Sequence, residues 1–141
     1  MAERTLNASV RETGESAYAV DVVVGDHKLK SDQSVDSGGK NIGPTPHEIV
    51  LAALGACTAE TVRWYALRHD IPLESVSVDL TYRREHVDGR PGLADVFVKA
   101  VQMTGPSLTG EMRAKLLDVA EKCPIQRLLE GSPIIRTTEK I

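Results

Sequence analysis

The candidates for chemistry in this chain are its two cysteines, Cys57 and Cys123. A thiolate can attack an electrophilic oxygen or sulfur, and a second thiol can resolve the oxidised product to a disulfide. Cys57 lies in the run Ala52-Ala53-Leu54-Gly55-Ala56-Cys57-Thr58, whose small side chains leave room for a backbone or a ligand to approach. Cys123 stands before Pro124, at a break in helical patterning. The two are sixty-six positions apart and form no C-x-x-C, so only the fold can bring them together. If it does not, they pack as small hydrophobes, a reading that the residues alone leave open.

A free cysteine titrates near pH 8.5, so an attacking thiolate needs a neighbouring cation or dipole at neutral pH. Three residues are candidates for activating or supporting the pair. His47 occupies the second position of a helix, Glu48 is its neighbour, and Arg127 follows Cys123 by four residues. Glu48 also fits a simpler role, closing a T-x-x-E capping box with Thr45. Arg127 also fits a solvated position near a helix end. The remaining histidines, His27, His69 and His86, are scattered, and none falls at H-x-x-x-H or at a Cys-His zinc spacing. There is no P-loop, G-x-G-x-x-G or G-x-S-x-G, and Gly38-Gly39 is too generic to imply phosphate binding. No metal or cofactor is expected.

The elements that must position these residues follow from periodicity. A strand over about Arg4–Glu12, a second around Tyr18–Val24 and a third from His27 to Lys30 are expected, the last two joined by the turn pair Gly25-Asp26. The Gly-, Ser-, Asp- and Pro-rich stretch SDQSVDSGGKNIGPTP is a loop, and loops of this length in compact domains are often functional. Thr45, Pro46 and Glu48 open a helix that Asp70-Ile71-Pro72 closes. From Ile49 to Ala59 nearly every side of it is apolar or small, which predicts burial all round, by the chain itself or by a second subunit.

Val76, Val78, Leu80 and Tyr82 then alternate with polar residues as a strand. Asp88–Gly92 turns the chain, and Leu93–Thr104 returns as its antiparallel partner. A helix over Thr109–Glu121, a short helical piece from Ile125 to Leu129 and a last strand at Ile134–Thr137 complete the reading. Strands grouped in hairpins, not alternating with helices, predict an α+β fold.

With 141 residues the chain is expected to form a single domain over 1–141, large enough to bury a core without a disulfide or metal staple. A net charge of −3 and an aromatic content of 4% disfavour a nucleic-acid coat or a stacking platform for single strands. The longest apolar run is far shorter than the roughly 20 residues of a membrane span, and MAERTLNASVRE lacks a signal-peptide core. A cytoplasmic protein without nucleic-acid or membrane partners is the default expectation.

Two stretches carry a resemblance. GPTPHE leading into LAALGACT, and KCPIQRLLEG far downstream, are each centred on a cysteine and stand in the order seen in the OsmC/Ohr family, which the chain resembles over roughly residues 38–137. The resemblance implies an OsmC-like fold, antiparallel sheets wrapped around long central helices in an intertwined homodimer with active sites at the subunit interface. It implies a peroxidase in oxidative-stress defence, with Cys57 as the peroxidatic cysteine, Cys123 as the resolving one, a small-molecule hydroperoxide as substrate and an external thiol as reductant. A non-catalytic binding module or a thiol redox sensor is the alternative. In the organic hydroperoxide branch an Arg–Glu pair activates the first cysteine. Here His47 occupies the place of that Glu, Glu48 falls one residue later, and the Arg has no secure counterpart, with Arg11 and Lys40 as candidates. His47 and Cys57 lie about 15 Å apart along a straight helix and about 80° apart around it. Help from His47 would therefore have to cross a subunit interface or a bend.

Overall fold

The chain begins as an antiparallel meander of three strands, β1 (Ala8–Glu12), β2 (Val20–Val24) and β3 (His27–Ser31), in the order β1-β2-β3. This is a computed structural model that describes residues 4–141; the three residues before them, part of the segment read for a signal core, lie outside the described residues. Val10 pairs with Val22 and Val22 with Leu29, and the Gly25-Asp26 turn is made possible by Gly25 at φ 56°. The first strand starts at Ala8, not Arg4, because β2 ends at Val24, Ala8's partner, and leaves residues 4–7 no ladder.

The loop that follows β3 is tied down from within. The Asp32 carboxylate is buried and accepts hydrogen bonds from Ser16 Oγ (2.7 Å) and from the backbone amides of Gln33 (2.8 Å), Lys40 (2.9 Å) and Ile42 (3.3 Å). Burial pushes this carboxyl up, and the four hydrogen bonds outweigh it, holding it at about 2. Gly39 is required for steric reasons: a Cβ there would run into the Gln33 carbonyl. Gly39 thus serves close backbone approach beside a carboxylate.

Helix α1 (Pro46–Arg68) begins with the expected box: Glu48 N donates to Thr45 Oγ1 (3.2 Å), and Thr45 N donates to Glu48 Oε1 (2.9 Å). Its buried residues Leu54, Thr58, Val62 and Ala66 recur every four positions, with Gly55 beside them. The expectation of burial all round is corrected within the single chain: Val50, Ala52, Ala53 and Ala56 are exposed.

Strands β4 (Ser75–His86) and β5 (Leu93–Thr104) form a two-stranded antiparallel sheet. Val76 faces Met103, Val78 faces Val101, Leu80 faces Lys99 and Tyr82 faces Phe97, so along these four pairs one side of the ribbon is apolar apart from Lys99. Helix α2 (Gly110–Ala120) is capped by Thr109, whose hydroxyl accepts from Met112 N, and Arg113 donates to the Met103 carbonyl at 3.0 Å. Val62, Ala66, Leu73, Met103, Leu116 and Ala120 make the core between these elements. Helix α3 (Pro124–Glu130) follows.

The strand expected at Ile134–Thr137 does not form. Residues 132–141 take no regular structure, and Ile134 and Ile135 are exposed, because no strand lies alongside to complete their ladder. The hairpin sheets and separate helices are α+β, as the strand grouping predicts. Contacts divide the chain into two compact units, one ending at Val50 and the other running from Leu51 to Ile141, with α1 passing through the boundary. Among the described residues no helix is long and apolar enough to cross a membrane.

Candidate functional site: a thiol pair in the second unit

The second unit brings Cys57 and Cys123 to one place. Cys57 is half-buried on α1, with its sulfur 4.0 Å from Thr61 Oγ1 one turn on. The next residue, Thr58, reaches inward, and its hydroxyl oxygen lies 3.5 Å from the Cys123 sulfur. Cys123 is fully buried and serves as the N-cap of α3: its sulfur accepts from the Gln126 amide at 3.4 Å, in the place usually given to Ser, Thr or Asp. Pro124 at the first helical position fixes the φ that lets Cys123 take this role. Both cysteines are free thiols.

A cation completes the cluster. Lys99 stands at the polar position within the apolar stretch of β5, and its Nζ donates to Thr58 Oγ1 (3.0 Å) and to the Ala120 carbonyl (2.8 Å) at the end of α2. Its delivery follows from the ladder. Leu80 and Lys99 face each other across the ribbon and point to the same side, where Leu80 packs on Gly55 and Lys99 reaches Thr58, three residues further along α1. A Cβ at position 55 would lie 2.5 Å from Leu80 Cδ1, so Gly55 sets how closely helix and ribbon approach.

These groups act on one sulfur. Burial pushes the Cys123 thiol up; the Thr58 hydroxyl, the Gln126 amide, the Lys99 charge and the neighbouring Cys57 thiol outweigh it, and the net direction is downward. The arrangement can therefore hold an anionic sulfur out of water, next to a second thiol that solvent reaches. The side-chain oxygen of Gln126 is buried with no hydrogen-bond partner among the described residues, while its amide nitrogen donates to Glu130 at 3.4 Å.

The other sequence candidates lie elsewhere. His47 is exposed on the first turn of α1, nearly three turns before Cys57, and the Glu48 carboxylate is engaged in the capping box. Arg127 is exposed on α3, and the positive charge acting on Cys123 comes from Lys99 instead. His69 stacks on Tyr65, and His27 and His86 are exposed on strands. Among the described residues no three His, Cys, Asp or Glu gather as a metal site would require. Sequence reasoning missed Lys99 and Thr58. The signal was present: a lysine in the apolar alternation Phe97, Val101, Met103 interrupts the buried face of a strand, and such a residue needs a polar partner.

An α+β chain with a half-exposed cysteine on its longest helix, beside a buried cysteine at the start of its last, is a thiol-pair protein. It belongs to the OsmC family: the family described as OsmC-like protein matches residues 38–138. Solved structures share the fold. An organic hydroperoxide resistance protein OsmC from Legionella pneumophila superposes with a TM-score of 0.70 at 22% identity, covering 93% of each chain. An OsmC-like protein from Mycoplasma pneumoniae gives 0.71 at 18%, covering 92% of this chain and 90% of the other. The organic hydroperoxide resistance protein OhrB of Bacillus subtilis gives 0.60 at 18%, covering 91% and 92%. No curated protein matches the chain.

Proposed function

We propose that the protein is a thiol-dependent peroxidase that reduces hydroperoxides through a cycle of Cys57 and Cys123. The Cys57 thiolate attacks the terminal peroxide oxygen, the O–O bond breaks, and the alkoxide leaves to be protonated as an alcohol, with Cys57 oxidised to a sulfenic acid. Cys123 then attacks the Cys57 sulfur, a disulfide forms, and hydroxide departs as water. An external dithiol or two thiols reduce the disulfide and are themselves oxidised. The observation that carries this reading is the pairing of a solvent-reachable thiol with a sealed thiol whose surroundings favour its anion. Membership of the OsmC family, and relatives named for organic hydroperoxide resistance, support it.

The working unit in this reading is a homodimer. Exposed Trp64 and Leu67, with Ala59, Arg63 and Val76, line an open groove of about 550 Å³ on the second unit, an apolar face that a second copy would cover. The decisive test adds stoichiometric cumene hydroperoxide to the reduced protein and follows intact mass and free thiols over seconds. Loss of both thiols, abolished in Cys57→Ser and arrested at the sulfenic acid in Cys123→Ser, is the expected result. Thiols unreacted after minutes would overturn the peroxidase and leave a binding module.

A further inference from the structure

We propose that Lys99 and Thr58 are positioning residues that hold the Cys123 sulfur as an anion, ready to displace hydroxide from oxidised Cys57. The proposal rests on the thiol–disulfide cycle above and adds the residues that arm its second step. In that step the S–S bond forms, the Cys57 S–O bond breaks, and hydroxide leaves and is protonated by solvent. The oxidant is the hydroperoxide already consumed at Cys57.

The supply of protons at Thr58 decides the arrangement. Thr58 has one hydroxyl hydrogen and three polar neighbours: the Leu54 carbonyl at 2.8 Å, the Cys123 sulfur at 3.5 Å and the Lys99 ammonium at 3.0 Å. Lysine has only donors, so Lys99 occupies a lone pair of the hydroxyl and the hydrogen must go to Leu54 or to the sulfur. With Cys123 as a thiol, the S–H donates to Oγ1 and the hydroxyl turns to Leu54. With Cys123 as a thiolate, the hydroxyl swings onto the sulfur. The Leu54 carbonyl still keeps the amide of Thr58 in the helix ladder, so the swing leaves no buried acceptor empty. The lysine charge, one hydroxyl away, makes the second arrangement favourable, and its other bond, to Ala120, fixes where the ammonium sits.

The titratable groups acting on Cys123 are Lys99 from β5 and Cys57 from α1; α3 contributes the Gln126 amide. The end of α2 presents the Ala120 carbonyl to Lys99.

A simpler role for Lys99 is to cap the end of α2 through Ala120, and the test must separate the two. In a Cys57→Ser background, which keeps a hydroxyl at position 57, the ionisation of Cys123 is followed by NMR of ¹³Cβ-labelled cysteine across pH. The midpoint is expected below the ordinary thiol value of about 8.5. Lys99→Met is expected to raise it by about one pH unit, which is roughly tenfold less thiolate below both midpoints, and Lys99→Arg to restore most of it. Thr58→Val is expected to raise the midpoint as well, and Thr58→Ser to keep it. A capping lysine alone would leave the midpoint untouched by Lys99→Met. An ordinary midpoint, or one unmoved by either Lys99→Met or Thr58→Val, overturns the proposal. If Lys99→Met does not fold, Lys99→Gln, which removes the charge and keeps an N–H donor, decides.

With both cysteines present, Lys99→Met treated with cumene hydroperoxide is expected to accumulate a sulfenic acid on Cys57 that dimedone traps. If Cys57 is not oxidised in any variant, the peroxidase reading fails, while the titration of Cys123 still stands or falls by itself.

Discussion

Asp32 and Cys123 are both buried groups that can carry negative charge, yet their surroundings differ in kind. Asp32 takes four hydrogen bonds of 2.7–3.3 Å, three of them from backbone amides of its own loop. Cys123 takes long contacts of 3.4–3.5 Å from a hydroxyl and an amide, with a lysine behind the hydroxyl. Rigid amides at short range make the first charge permanent, and the chain folds around it. A rotating hydroxyl and a large, polarisable sulfur make the second charge one that can come and go as the sulfur gains and loses its proton. The first serves structure and the second is suited to chemistry, and the difference lies in whether the donors can reorganise.

The most damaging substitution is therefore expected at the permanent charge. Asp32→Asn offers one acceptor oxygen and an amide that must face donors, so buried N–H groups lose their partners. The amides of Lys40 and Ile42 should lose their hydrogen-exchange protection, and the melting temperature should fall further than in Leu116→Ala or Thr58→Val. Acid should imitate it. The carboxyl sits at about 2 when folded and near 3.9 in an unfolded chain, so its contribution is complete above about pH 4 and is lost as pH falls through 2. Urea midpoints that do not fall between pH 4 and 2, or unchanged exchange in Asp32→Asn, would break the comparison on this side.

Next comes the hydrocarbon that supports the second unit. Leu116 is fully buried among Val62, Ala66, Leu73 and Met103. Leu116→Ala should cost about 3 kcal/mol, measured by urea denaturation, through lost burial and the cavity left behind. A cost below about 1 kcal/mol would mean that the polar cluster around Cys123, not the core, holds α2 against the sheet.

Much of this was legible in the sequence, and what was not shares a cause. The capping box, the β4–β5 hairpin and helix α2 are local patterns, and Thr45, Glu48 and Leu80 stand where their spacing puts them. Lys99 and Asp32 could not be read the same way, because their meaning comes from partners 41 residues away at Thr58 and 16 away at Ser16. Ile134 and Ile135 misled because apolar β-branched residues signal a strand only if a neighbouring strand exists. Arg127 drew attention by proximity along the chain to Cys123, while the register of the ribbon delivered a cation from β5.

The smallest effect probes the reorganising donors directly. Thr58→Val keeps the shape of the side chain and removes the hydroxyl that links Leu54, Lys99 and Cys123. It should cost about 1 kcal/mol at neutral pH, the net worth of a hydrogen bond. Its sharper consequence is a change of slope. A thiol whose folded ionisation is lowered contributes stability that is present above its unfolded value, near 8.5, and is lost as pH falls through the folded value. Stability of the Cys57→Ser protein should therefore rise as pH climbs towards the unfolded value, and Thr58→Val should flatten that rise while Thr58→Ser preserves it. Parallel curves for all three would show that the hydroxyl packs without steering charge, and Cys123 would then differ from Asp32 only in bond length.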